Sequence, residues 1–70
     1  MIKFENTQNG RYYYLEITED LLNDHTLIIH RGGNNYHTRQ RRIFNNKDSV
    51  LAEIQRISKI REQRGYRLIL

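Results

Sequence analysis

Val50, Leu51, Ile54, Ile57 and Ile60 recur at three- and four-residue steps near the C-terminal end of the chain. That spacing lays an apolar stripe along one side of an α-helix. A lone helix of this length is marginal in water, so the stripe must dock on something. Burying each Ile or Leu contributes roughly 2 kcal/mol, against ~0–1 kcal/mol for an exposed ion pair. The docking requirement therefore outweighs any surface charge pattern in deciding the fold. The limits of the helix are also written in the residues. Asn46 is placed to accept from backbone N–H groups one turn on, and Asp48 lies in the first turn, where the helix dipole favours an anion. Arg61 and Arg64 lie near the C-terminal end, where cations are favoured, and Gly65 follows as a left-handed cap.

The surface for the stripe to cover comes from the preceding residues. Lys3 to Glu5 is a short strand candidate, and Asn9-Gly10 is a hairpin signal. Arg11 to Thr18 is rich in β-formers, with Tyr13, Leu15 and Ile17 on one face at period two and Tyr12, Tyr14 and Glu16 on the other. Glu19 to Asp24 is a polar turn with Leu21-Leu22 folded inward. Thr26 to Arg31 is a further strand. Gly32-Gly33-Asn34-Asn35 is a loop whose residues supply the positive φ a reversal needs. Tyr36 to Phe44 is another strand, basic at Arg39, Arg41 and Arg42. Tyr66 to Leu70 either returns as a last strand or packs across the helix end. The expected fold is α+β: an antiparallel sheet of about four strands with one long C-terminal helix on the face of Tyr13, Leu15 and Ile17.

A chain of 70 residues makes a single domain, 1–70, with no linker or repeat. It has no cysteine, which excludes disulfides and thiolate zinc sites and fits a reducing compartment. The N-terminus has no signal-peptide profile, and apolar runs such as Leu27-Ile28-Ile29 are far too short to span a bilayer. The expectation is a cytoplasmic protein without a membrane partner, a monomer or weak homodimer. The net charge of +4 is unevenly placed: residues 1–35 carry −2 and residues 36–70 carry +6. That asymmetry favours a polyanionic partner.

The order of these motifs resembles the WGR domain family, small modules named for a Trp-Gly-Arg tripeptide. They are found beside poly(ADP-ribose) polymerase catalytic domains and as short bacterial proteins. The resemblance covers about residues 11–67. Tyr13-Tyr14-Leu15-Glu16-Ile17 is similar to the family's opening strand, and Asp24-His25-Thr26-Leu27-Ile28 to its Asp-Trp-x-Leu-Val segment. Phe44-Asn45-Asn46 looks like the Phe-Asp-Ser that opens its helix, and Gly65-Tyr66 like the Gly-Tyr that closes it. Arg31-Gly32-Gly33 stands where Trp-Gly-Arg is expected, so only Gly32 is kept. In the family the Trp and Arg take part in contacts with a DNA end or neighbouring domains. The resemblance thus implies DNA binding, with Tyr36 as the aromatic that would substitute for the missing Trp.

The residues themselves point to phosphate. Arg39 and Arg41 share one face of their strand, and Arg42 takes the other. The guanidinium fork suits bidentate bonding to phosphate oxygens. Tyr36 and His37 precede them, Arg31 precedes the glycine pair, and Lys59 extends the basic surface on the helix. Basic residues interleaved with aromatics are a nucleic-acid footprint, DNA ahead of RNA given the resemblance; the bland reading is an edge strand kept soluble by charge. Arg56, Lys59 and Arg67 could extend the same positive surface, but a solvated helix face with local ion pairs, interrupted by Glu53 and Glu62, is the favoured reading. Tyr12 and Tyr14, facing away from the core, fit a protein interface or plain cross-strand packing. His25, His30 and His37 lack a third ligand for a zinc site, and no metal or cofactor is expected. A small ribonuclease would use His for proton transfer and Arg for phosphorane charge. No spacing demands it, and no catalytic triad or P-loop is present. The expected function is a nucleic-acid-binding module, not an enzyme; the alternative is a module for an acidic protein partner.

Overall fold

A computed structural model describes residues 1–19 and 24–69. Five strands and one helix follow in the order β1 (Ile2–Asn6), β2 (Arg11–Glu19), β3 (His25–Gly32), β4 (His37–Phe44), α1 (Lys47–Gln63) and β5 (Arg67–Ile69). All pairings are antiparallel, and the strands lie in the order β4-β3-β2-β1-β5. The sheet has one strand more than the count of about four, because Arg67–Ile69 pairs with β1. The helix makes this possible. Its 17 residues span about 25 Å at 1.5 Å per residue. Four steps between neighbouring strands cover roughly 19 Å, so the helix carries the chain from the β4 edge to the opposite one.

The ends of α1 are built as the capping signals require. Asn46 Oδ1 accepts from the Ser49 N–H at 2.8 Å. At the other end the Gly65 N–H donates to Glu62 O and the Tyr66 N–H to Arg61 O, the pair of bonds that satisfies the last carbonyls when a left-handed residue follows the helix. Gly65 takes φ +86° to allow it. Buried Asn6 ties this end to the sheet: its Nδ2 donates to Arg64 O at 3.3 Å, and its Oδ1 accepts from the Gln8 N–H.

Val50, Ile54 and Ile57 of the stripe are buried against Phe4, Leu15, Leu27 and Ile29 of the sheet. Leu51 and Ile17, expected in that core, are largely exposed at 41% and 43%, since both sit where the sheet outruns the helix N-terminus. Ile60 is half-buried. The Leu21-Leu22 expectation lies outside the described residues. No helix among those described is long and apolar enough to cross a membrane.

The glycine pair corrects the loop reading. Neither Gly32 nor Gly33 has a positive φ; Gly10 and Gly65 do. Gly32 is needed for space instead. It ends β3 in register with both Tyr12 and His37. A Cβ there would run into the Tyr36 carbonyl oxygen and lie 2.7 Å from the Tyr12 hydroxyl.

Candidate anion-binding site at the helix C-terminus

On the face under the helix, side chains in register change character along the strand direction. The row Ile2, Leu15 and Ile29 is apolar. The next row passes from Phe4 through Tyr13 to Arg31 and Thr38. Beyond it Asn6 faces Arg11. The helix changes in parallel: the buried positions Val50, Ile54 and Ile57 are followed, four residues on, by Arg61. The layer interface therefore continues past the core as a polar cleft of about 360 Å³.

Four arginines line this cleft, Arg11, Arg31, Arg61 and Arg64, together with Tyr12, Tyr13, Tyr36 and Tyr66, and no carboxylate does. Arg61 is the most constrained. Its guanidinium lies over the ring of Tyr13 at 4.4 Å and that of Tyr66 at 5.2 Å. Its Nε is buried and meets no acceptor among the described residues. Arg31 is held by Nε donation to Thr38 Oγ1 at 3.3 Å. Like charges gathered without an anion repel one another, most strongly where water is scarce. An anion brought among them removes that repulsion and offers an acceptor to the buried donor.

The basic residues expected to form one surface fall into separate places. Arg31 and Tyr36 belong to the cleft, with Tyr36 51% exposed at its rim. Arg39 and Arg41 are exposed on the other face of the sheet, and no partner among the described residues holds either. Arg42 is under the helix, where its Nη1 donates to Glu53 Oε2 at 2.6 Å. Glu53 also accepts from Arg56. The Arg56 hydrogen bond, helped by both positive charges, holds the Glu53 carboxyl below its ordinary 4.5 against the opposing effect of burial. Arg42, expected among the chief phosphate contacts, is thus matched within the fold. Lys59 is exposed on α1. It lies two residues past buried Ile57, so it is turned about 200° from the stripe and away from both arginine surfaces. The Gly33 N–H beside the cleft is not open to a ligand, since it donates to Tyr36 O at 3.0 Å.

Arg11, Arg61 and Arg64, which line the cleft, are not among the residues the sequence singled out for binding. Two of them carried a signal: Arg61 occupies the next position of the apolar stripe, and Arg11, like Arg31 on β3, the next period-two position of its strand's core face. Among the described residues no three His, Asp or Glu gather to hold a metal ion. No protein-family model matches the chain, and neither a curated protein nor a solved structure does.

Proposed function

We propose that this chain is a WGR-like module that binds nucleic acid, DNA foremost, through its phosphates, and that its role is binding rather than catalysis. The cleft of four arginines without a carboxylate is the observation that carries the reading. Planar guanidinium groups pair with phosphate oxygens two bonds at a time, and tyrosine hydroxyls donate to the same oxygens. Arg61, already fixed between two rings, loses little freedom on binding. Arg39 and Arg41, unpaired and exposed, would contact further phosphates along the strand. The cysteine-free composition fits a reducing, cytoplasmic setting for this role.

The test is fluorescence anisotropy of labelled single- and double-stranded DNA, blunt and nicked, at two salt concentrations. With about four phosphates neutralised, affinity falls roughly a hundredfold between ~50 and ~200 mM salt. Arg61→Leu should abolish most binding at low salt, and the pair Arg39→Ala and Arg41→Ala should lower the salt slope. Absence of binding at low salt would overturn the proposal and leave an acidic protein as the partner for the same arginines.

A further inference from the structure

The face of the sheet opposite α1 is covered by no element among the described residues, and it carries four rings in mutual contact. Tyr12 and Tyr14 have centroids 4.8 Å apart, Tyr12 and His37 6.0 Å, and His30 and His37 5.9 Å. The two pairs that involve His37 are stacked, with interplanar angles of 25° and 30°. The rings come from β2, β3 and β4. They become continuous because Gly32 stands in register between Tyr12 and His37 and puts no side chain between them.

The rings are held in place at their edges, and Lys3 Nζ lies over the Tyr14 ring at 5.5 Å. The Tyr12 hydroxyl bonds His37 Nδ1, the Tyr14 hydroxyl donates to Glu5 Oε1 at 3.0 Å, and His30 Nε2 meets Glu16 Oε1 at 3.3 Å. Glu5 and Glu16 are the carboxylates that the strands place on this face, so each is already engaged with a ring. Against them stand Lys3, Arg39, Arg41 and Arg67. Lys3 and Arg39 flank the Tyr14–His30 pair in one cross-strand row. An uncovered patch of fixed rings bordered by the unpaired guanidinium groups of Arg39 and Arg41 matches a strand whose bases stack on aromatic side chains and whose phosphates run alongside. Duplex DNA does not match it, since its base faces are already stacked on one another.

We infer that this open face is a stacking platform for the bases of single-stranded nucleic acid, flanked by Arg39 and Arg41 as its phosphate contacts. The inference rests on the proposed nucleic-acid binding and specifies its form. It adds base contact to phosphate contact, and the two are separable.

The experiment compares a labelled oligothymidylate of about 12 nucleotides with an abasic oligomer of equal length, both against the intact chain. The chain has five tyrosines and no tryptophan, so its own emission reports ring stacking directly. The base-bearing oligomer should bind at least tenfold tighter than the abasic one and quench tyrosine emission. The ratio of the two affinities should fall about tenfold in His37→Ala and in Tyr14→Leu, with the fold of each checked by circular dichroism. His37 is exposed, so the first variant keeps the test open if the second fails to fold. Equal affinity for both oligomers would overturn the platform and leave phosphate binding standing. Preference for duplex over the single strand would overturn it too, and failure of every oligomer to bind would sink both readings.

Discussion

Replacing Arg61 by leucine should make the free protein more stable and weaken its anion complex. The position continues the buried stripe of Val50, Ile54 and Ile57, so leucine extends the apolar contact by about 1 kcal/mol. Removing a buried Nε that meets no acceptor relieves roughly 1–3 kcal/mol. Loss of the two ring contacts, to Tyr13 and Tyr66, costs about 1–2 kcal/mol together. The balance is about 1 kcal/mol in favour of the variant, which for a domain of this size raises Tm by roughly 4–8 °C. Ligand reverses the order. A polyanion at about a hundred times its Kd stabilises the wild type by about 2.7 kcal/mol, and the variant should gain far less. Thermal unfolding by circular dichroism, with and without short single-stranded DNA, reads both effects. If Arg61→Leu melts several degrees below the wild type without ligand, Arg61 is a strut between two tyrosines and the argument for a destabilised binding site fails. It fails as well if DNA raises both midpoints by the same amount.

Four further substitutions probe the frame that holds the two faces. Gly32→Ala should destabilise by about 1–3 kcal/mol, because its Cβ meets backbone at Tyr36. Gly33→Ala meets side chains rather than backbone, the Tyr36 ring edge at 3.2 Å and Arg11 Cγ at 3.6 Å, and should cost far less; equal denaturant midpoints for the two would refute the packing argument. Asn46→Ala removes the bond to the Ser49 N–H and should cost about 0.5–2 kcal/mol, measured by urea unfolding. Glu53→Gln tests acid sensitivity. The folded-state pKa of Glu53 is depressed, so its stabilisation is present above the ordinary carboxylate range and is lost as pH falls through the folded value. The variant should melt a few degrees below the wild type at neutral pH, and the gap should close on acidification; a gap that stays constant with pH would show that the charge contributes nothing.

How far the residues alone announced this arrangement depends on which periodicity they obeyed. The helix, its Asn46 cap and its Gly65 exit were readable because capping chemistry is local and few residue types satisfy it. Strands β2 to β4 were readable from alternation, to within a residue or two at their ends. The last strand was not, since three residues, Arg67–Ile69, carry too little pattern to separate a strand from a tail. Its pairing with β1 is fixed by where the helix delivers the chain. The ion pair of Arg42 was hidden for a similar reason. Its partner Glu53 lies 11 residues away, and only the docking of helix on sheet brings the two together.

The cleft was within reach of a stricter reading. A sequence that specifies one fold keeps its local choices consistent, and departures concentrate where function requires them. Arg61, Arg31 and Arg11 each break an apolar period at the position where it should have continued. Taken singly, each resembles the ordinary end of an element. They mean more together because the register of β1, β2 and β3 places the three breaks at one end of the layer interface. Three elements that could have closed the core with leucine instead leave it open and positive at the same place. Gly32 joins that end to the opposite face: it lines the cleft, and its lack of a side chain lets Tyr12 cross to His37. Tyr12 itself lines the cleft and belongs to the ring patch. The two surfaces therefore meet at one end of strands β2 to β4, and on the proposed reading a strand anchored by a phosphate among the arginines would have its following bases directed onto the rings.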